Sequence, residues 1–371
     1  MTILNESSLD YRLENAKQFI NQIQEAHKLL KARKYRSAVK FLQATNPLCL
    51  AAKSHYVNAS YFKTLAELCL RIQKKDRCEQ ACNIAYHSLI GARKKIAEGG
   101  EDDEIESYFC FFVEPSRIEL WQDIIRYYLC LGNPNKALSS FYQYEIEIEE
   151  FIEFSSPPQA DINTFKIHFQ PFKIVFTAWG YNQLGNYQKG LDLLQSRNFN
   201  IISFGEGIKN LIQILEISDE FQKESDSPSK HLVQSSLEVI QQNQEQISSK
   251  IKEQEQMFVE SLAQNDFQIF IDELEKQKVF FSSIFSNLRK LLDEEDLASL
   301  NLNIFDKDKS NIPPLAMITF WQTGVSLLNL GEENRGRELI KSIKSVLAES
   351  ENKFSLQDAF ERELVSLIQQ S

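Results

Sequence analysis

Apolar residues recur at intervals of three and four through most of the chain, with polar residues between them. Trp121, Ile124 and Tyr128 form one such series. This spacing places apolar side chains on one face of a helix, so it predicts amphipathic helices that bury that face. Residues 229–312 include neither Gly nor Pro, the residues that most often end a helix or form a turn. The pattern therefore predicts an all-α chain.

The predicted helices follow from these intervals and from the turn residues between them. They cover residues 9–32, 35–45, 52–73, 76–97, 165–184, 187–198, 207–222, 231–264, 267–292, 294–301 and 355–369, with a helix opened by Pro115 and Ser116, its partner through Phe154, and a final hairpin over 315–349. A linker is predicted at 224–230, where Ser and Pro cluster. The predicted domains are an N-terminal one over 1–223 and a C-terminal one over 231–371.

A short string occurs three times, as LGNPNKAL, LGNYQKGL and LGEENRGREL. Each Gly follows an apolar helical run, so it is expected to end the helix in the left-handed conformation. The residue five positions later is small in each copy: Ala137, Gly190 and Gly336. A small residue early in the second helix allows two antiparallel helices to approach closely. KARKYRSAVKFL, with Ala38, and RIQKKDRCEQACNIA, with Ala81, are degraded copies.

The residues around these strings resemble the tetratricopeptide pattern. Trp121, Tyr128, Ala137 and Phe141 hold the places of its early Trp, mid-helix Tyr, small residue and later Phe. The resemblance implies an α-solenoid of stacked antiparallel helical hairpins, whose concave surface binds a partner. The small residues at 38, 81, 137 and 190 are 43, 56 and 53 apart. Because the family repeats every roughly 34 residues, an irregular helical bundle remains the alternative.

Residues 35–215 are also similar to the helical cytosolic domains of the peroxisomal tail-anchored factors that recruit the receptor-export AAA ATPases. The similarity lies in KYRSAVKFL, PSRIELWQDIIRYYLCLGNPNKAL and FKIVFTAWGYNQLGNYQKGLDLL. It implies a peroxisome-biogenesis adaptor as an alternative function. The transmembrane anchor of that family is not expected here, because charged or polar residues interrupt every apolar run before the roughly 20 residues that a bilayer helix needs.

The predicted helix 231–264 resembles a coiled-coil strand. Its seam advances in steps of four and three residues: Val233, Leu237, Ile240, Gln244, Ile247, Ile251, Gln254 and Phe258. A seam with this 3.5-residue period packs against another helix. We expect it to pack within the molecule, against the Phe-rich helix 267–292. Pairing between two chains is the alternative.

Charge is distributed unevenly along the chain. Residues 1–97 hold 17 basic and 7 acidic side chains, a balance of +10, and the remainder has a balance of −21. The basic residues around the first predicted turn are Lys28, Lys31, Arg33, Lys34 and Arg36. They predict a surface for an acidic protein partner, with peripheral contact to an anionic membrane or a merely solvated helix face as alternatives. Nucleic acid is disfavoured, because no stacking platform or reading motif accompanies the charges.

Sequence motifs for catalysis and for cofactor binding are absent. The chain has no phosphate-binding GxxxxGK[ST], no HExxH and no GxSxG. Cys78 and Cys82 lie one helical turn apart, but structural zinc requires four ligands. Residues 306–310 begin like a calcium loop that then lacks its Gly and its Glu. We therefore expect no catalytic site, no cofactor and no metal.

The sequence thus predicts a non-catalytic scaffold or adaptor that binds a protein partner through a helical-repeat groove. A cytoplasmic location is expected, because the N-terminal residues are acidic where a secretory signal is basic and apolar. Six cysteines are also too few for a disulfide scaffold of this size. The alternative from another class is an enzyme whose site is assembled across helices. Ser227, in the predicted linker, is a candidate phosphorylation site.

Overall fold

The computed structural model describes residues 9–99, 106, 116–155, 159–196, 234, 238–284, 314–349 and 359–371. Every regular element in these ranges is helical, which confirms the predicted all-α class for them. The helices are α1 (Leu9–Lys31), α2 (Tyr35–Ala52), α3 (His55–Arg71), α4 (Lys75–Glu98), α5 (Arg117–Cys130), α6 (Pro134–Ser155), α7 (Gln159–Gln183), α8 (Tyr187–Gln195), α9 (Gln244–Gln264), α10 (Phe267–Ile284), α11 (Pro314–Asn329), α12 (Glu333–Glu349) and α13 (Ala359–Gln370). None of these helices is long and apolar enough to cross a membrane.

Three predicted helices differ from the structure. The helix predicted at 165–184 started too late, because α7 begins at Gln159. The helix predicted at 35–45 was too short, because α2 continues through Pro47 to Ala52. The prediction of one helix over 231–264 is wrong at Asn243, where the helical pattern is interrupted before α9 begins. The side-chain Nδ2 of Asn243 donates to the carbonyl oxygen of Val239 at 2.7 Å. Such local bonds compete with regular helix.

Several predicted features fall on residues outside the described ranges. They are the helices at 207–222 and 294–301, the linker at 224–230 with Ser227, and the calcium-like run at 306–310. The domain boundary placed in that linker therefore stays a prediction.

The chain packs as two compact units. Unit 1 comprises residues 1–166, 179–185 and 356–370, and unit 2 comprises 167–178, 186–355 and residue 371. Helix α13 thus belongs to the same unit as α1–α6, although α11 and α12, which precede it in the chain, belong to unit 2.

Unit 1 is built from packed helix pairs. α1 packs against α2, α3 against α4 and α5 against α6, and α3 also contacts α1 and α5. Trp121, Tyr128, Ala137 and Phe141 are all buried, as their tetratricopeptide-like spacing predicts. The ring of Trp121 meets that of Tyr86 edge-on, with 5.3 Å between centroids. An aromatic contact therefore joins α4 to α5.

Unit 2 has an aromatic core between two further helix pairs, α9 with α10 and α11 with α12. The ring of Phe320 lies 5.2 Å from that of Phe258 and 4.7 Å from that of Phe267, between centroids. Ile247 and Phe258, two seam positions of the predicted long helix, are buried. The seam of α9 thus packs within the chain against α10, as expected.

A three-residue turn of one type joins α1 to α2, α3 to α4, α5 to α6, α7 to α8 and α11 to α12. Its middle residue has a positive φ in every copy: Arg33, Gln73, Gly132, Gly185 and Gly331. In the turns at Arg33, Gln73, Gly132 and Gly331 the next backbone nitrogen bonds back five residues, as from Asn133 to the carbonyl oxygen of Tyr128 at 2.8 Å. This pairing is the Schellman motif, which satisfies the last carbonyls of a helix.

The residue five positions after the left-handed one is small and buried in each copy: Ala38, Cys78, Ala137, Gly190 and Gly336. The sequence alignment assigned Ala81 to the second copy, and the structure corrects this to Cys78. The misassignment arose because Gln73, not a Gly, occupies the left-handed position there.

At this position α11 and α12 approach each other closely. A Cβ added to Gly336 would lie 2.6 Å from the backbone nitrogen of Leu328 and 2.7 Å from the carbonyl oxygen of Gly324. Both neighbours are backbone atoms of α11, so neither moves without moving the helix. The two helices are therefore in contact at a site that excludes even a methyl group.

We expect Gly336→Ala to lower the free energy of unfolding by about 1–3 kcal/mol, the usual effect of forcing extra atoms into a packed site. At an open helical position the same change would raise stability by about 1 kcal/mol, because Ala has the higher helix propensity. Urea unfolding followed by circular dichroism measures the sign. Ser345→Ala, at an exposed position of α12, is the control and should cause no loss. A Gly336→Ala chain as stable as the wild type would contradict the close approach.

Candidate protein-binding groove

Helix α13 packs within unit 1 against α3 and α5. Its buried side chains include Phe360, Glu363, Leu364 and Ile368. Because residues three and four apart lie on the same side of a helix, these four form one face. That face covers unit 1, while Gln369 and Gln370 at the end of α13 are exposed.

Side chains of unit 1 that contact α13 define a surface that we call the α13 groove: Tyr35, Gln73, Lys75, Arg126 and Trp179. Nη1 of Arg362 donates to the hydroxyl of Tyr35 at 2.7 Å. The Glu363 carboxylate pairs with Nζ of Lys75 at 3.0 Å. The same carboxylate accepts a hydrogen bond from Nε2 of Gln73 at 3.2 Å. Two neighbouring residues of α13, one basic and one acidic, are therefore held by polar contacts.

Phe360 is the aromatic anchor of α13. Its side chain is 2% exposed, and its ring centroid lies 6.4 Å from that of Trp179. The guanidinium carbon of Arg126 lies 5.4 Å from the same ring centroid. A guanidinium at this distance is attracted to the ring when it lies over its face. The anchor thus combines apolar burial with a cation–π contact.

Two of the residues that make polar contacts with α13 occupy equivalent positions of the repeated turn. Tyr35 and Lys75 each follow the left-handed residue of their turn by two positions. α1 and α3 run in the same direction, since α2 reverses between them, so the two turns lie at one edge of unit 1. Arg362 and Glu363 therefore contact two consecutive helix pairs at the same place.

Five charged side chains form a network between α3 and α5: Lys63, Glu67, Arg71, Asp123 and Arg126. Nζ of Lys63 lies 2.8 Å from Oδ2 of Asp123, and Nη1 of Arg126 lies 3.1 Å from its Oδ1. Nη2 of Arg71 lies 2.6 Å from Oε1 of Glu67. Burial raises the pKa of Asp123, but Lys63 and Arg126 outweigh burial and hold that pKa below its ordinary value. The network is therefore charged and paired.

This α3–α5 network reaches the groove at two points. Arg126 lies against the ring of Phe360, and Arg71 approaches the hydroxyl of Tyr35 together with Arg362. Burial raises the pKa of Tyr35, but the two guanidinium groups outweigh it and hold that pKa below its ordinary value. Cations of the network thus contact both an apolar and a polar part of the α13 site.

The five basic residues predicted to bind a partner lie beside the groove. Lys28, Lys31, Arg33, Lys34 and Arg36 are all exposed, at the end of α1, in the turn and at the start of α2. Tyr35, a groove residue, lies between two of them in the chain. We call these five the basic rim. The structure places them together at one edge of the groove, and their role in binding stays a prediction.

Sequence reasoning missed α13 as an occupant, and with it the groove residues Tyr35, Lys75 and Trp179. A terminal helix over 355–369 was predicted. That prediction carried no signal for where the helix docks, because any apolar surface would satisfy an amphipathic helix.

The thiols weighed as metal ligands are core residues. Cys78 and Cys82 are fully buried in α4. In the described part of the chain, no three His, Cys, Asp or Glu side chains are grouped as a metal site would require. The expectation that the protein binds no metal remains a prediction.

Comparison with known proteins gives no relative. No family model matches the chain, and no curated protein or solved structure does. The tetratricopeptide-like and peroxisomal resemblances therefore stay predictions from sequence. The α13 groove itself is the basis for a functional proposal.

His27 of α1 adds a pH-sensitive group at the edge of the α3–α5 network. Its Nε2 lies 2.9 Å from the hydroxyl oxygen of Thr64. Burial and the nearby ammonium of Lys63 lower the pKa of His27 from 6.5 to about 3. Below about pH 6.5 the unfolded chain binds a proton at His27 that the folded chain does not bind. The free energy of unfolding therefore decreases as the pH is lowered.

We expect His27→Gln to flatten this dependence, because Gln retains a polar group near Thr64 and does not titrate. Between about pH 7.5 and pH 5 the wild type should lose up to about 2 kcal/mol through this residue. Urea unfolding at both pH values measures the difference. The same substitution at exposed His87 is the control and should preserve the wild-type slope. An identical slope in His27→Gln would show that His27 titrates normally.

Proposed function

We propose that this protein is a non-catalytic scaffold that binds a helix of a partner protein in the α13 groove. In this proposal the helix pairs of unit 1 are tetratricopeptide-like hairpins of an α-solenoid. The supporting observation is that an amphipathic helix, α13, already lies in the groove. Its anchor Phe360 lies beside Trp179 and Arg126. Its polar residues Arg362 and Glu363 contact two turn residues at equivalent positions.

The chemistry of the groove is that of helix recognition. Helix-binding grooves accept apolar side chains spaced three, four and seven or eight residues apart, with polar contacts that fix register. Phe360, Leu364 and Ile368 have that spacing, and Glu363 supplies a register contact through Lys75. A partner helix with the same features would fit the same surface.

The basic rim favours an acidic partner. All five of its cations are exposed, and the first 97 residues carry a net charge of +10. Exposed cations beside a binding groove raise the rate of encounter with an acidic protein more than they raise final affinity. The rim would therefore steer a partner, while the groove would hold it.

Zero-length crosslinking tests where the partner binds. The tagged full chain is incubated with an extract of its source organism and treated with a carbodiimide, which joins amines to carboxylates in direct contact. We expect the amines coupled to partner carboxylates to be those of Lys31, Lys34 and Lys75, because these line the rim and groove. Mass spectrometry of the crosslinked peptides gives the positions.

Two lysines of unit 2 provide the internal comparison for this experiment. Lys341 and Lys344, on α12 and away from the groove residues in sequence, are available to the same reagent. A partner crosslinked mainly at these positions would contradict binding in the α13 groove. Crosslinks scattered over all lysines without preference would do so as well.

Charge reversal in the rim tests steering. We expect Lys31→Glu with Lys34→Glu to slow association with the crosslinked partner by about three- to tenfold and to reduce its salt dependence. Arg33 is left in place, because it holds the left-handed φ of 58°. Surface plasmon resonance at two ionic strengths measures the rates, and thermal melting checks that the fold is retained.

Lys341→Glu with Lys344→Glu, the same charge change in unit 2, is the matched control. It should leave the association rate close to that of the wild type. Equal slowing by both double variants would show that net charge alone, and not the basic rim, governs association.

A further inference from the structure

We propose that α13 is a displaceable occupant of its groove, and that the partner helix competes with it for the same contacts. The partner is then an amphipathic helix with an aromatic residue, a Glu three positions later, and aliphatic residues four and eight positions after the aromatic. This inference rests on the proposed function and deepens it, since it specifies the partner and how access to the groove is controlled.

The pattern of the partner follows from the contacts of α13. Phe360 fills the place between Trp179 and Arg126, so an aromatic ring is required there. Glu363 is 5% exposed and meets Lys75, so a carboxylate is required one turn later. Leu364 and Ile368 are fully buried and extend the same face by two further turns.

The charged lining of the groove would remain compatible with water if α13 left it. Charges in a permanent core are disfavoured, because desolvation is expensive and apolar side chains of similar size serve as well. The α3–α5 network nevertheless contacts α13 through Arg126, and its Arg71 reaches Tyr35, the residue that Arg362 of α13 contacts. Its ion pairs join α3 to α5 through Asp123 and join Arg71 to Glu67 within α3. These pairs therefore persist when α13 leaves.

Helix α11 of unit 2 provides the contrast within the same chain. Its buried residues include the apolar Ala316, Met317, Ile318 and Phe320 and the polar Thr319, Gln322 and Thr323, and none of them is charged. This composition is typical of a helix that is covered at all times. The face beneath α13 differs in carrying paired charges, as a surface does that meets water in one of its states.

Helix α13 is also short enough to depend on the groove for its order. A helix of 12 residues is marginal on its own in water. Its occupancy is favoured because it is part of the same chain, which gives a local concentration on the order of millimolar. A partner helix must bind tightly enough to overcome this high local concentration of α13. Acidic residues that reach the basic rim would add further contacts to its binding.

Binding of a fluorescein-labelled peptide with the sequence of residues 356–371 to the full chain tests the proposal. We expect weak binding to the wild type, whose groove is filled, and binding at least about tenfold tighter to the full-length variant Leu364→Asp, whose own helix is released. Fluorescence anisotropy measures both affinities. The peptide with Leu364→Asp is the control probe and should bind neither chain.

The outcomes separate this inference from the proposed function. Equal, tight binding to both chains would show that α13 does not control the groove, and it would overturn the inference alone. No binding to a Leu364→Asp chain that retains its helical circular dichroism would overturn the inference, while groove crosslinks would still support the function. A wild-type dimer that Leu364→Asp dissociates in light scattering would identify a second copy as the occupant and overturn it as well.

Hydrogen exchange keeps the proposal falsifiable if Leu364→Asp fails to fold. A ¹³C,¹⁵N-labelled peptide of residues 356–371 is added in excess to the unlabelled wild-type chain. We expect amide exchange in α13 of the chain to rise at least about threefold, since displaced residues lose their helical bonds. Exchange in α12 should not change. An unaltered rate in α13 would overturn the inference.

Charge reversal tests the register of the bound helix. In the Leu364→Asp chain, Lys75→Glu should weaken the native peptide about fivefold or more, and a peptide with Glu363→Lys should recover most of that affinity. The matched control is Lys74→Glu, at an exposed neighbouring position, which should have a smaller effect and no preference for the altered peptide. Failure of the altered peptide to recover binding to Lys75→Glu would overturn the assigned register.

Discussion

Close approach of paired helices is the constraint on which the rest of the structure depends. A three-residue turn reverses the chain, so the second helix starts against the end of the first. Only a small residue fits where they meet, as the backbone contact at Gly336 shows. The same geometry brings the residue two after the left-handed position to the edge of each pair. That position holds Tyr35 and Lys75, which α13 contacts.

Much of this architecture could be predicted from sequence, because Gly marks three of the turns. Leu-Gly followed by Ala137, Gly190 or Gly336 located those turns, and all three small residues are buried. The turns at Arg33 and Gln73 were harder to align, since residues that rarely adopt positive φ adopt it there. Tertiary packing offsets the backbone strain at Arg33 and Gln73, and the local sequence contains no information about that packing.

The candidate site was predictable only in its exposed part. The basic rim was visible as a run of charges, and the structure places all five at one edge of unit 1. The groove was not visible, because its lining joins residues far apart in the chain, such as Tyr35 with Arg362. Lys63, Glu67 and Asp123 are also charged, so sequence places them on the surface, whereas mutual pairing allows their burial.

That buried pairing sets a balance between stability and binding. An apolar lining would hold α13 more firmly, but it would leave α3 and α5 prone to association whenever α13 departed. Paired charges weaken the hold of the groove on any apolar face and keep the open groove compatible with water. Specificity then depends on the lining groups that can contact a bound helix while the α3–α5 ion pairs stay intact. These are the aromatic site beside Arg126 and the turn residues Tyr35 and Lys75. A helix that satisfies all three is favoured over one that is merely apolar, because a mismatched helix would forgo the contacts with Tyr35 and Lys75.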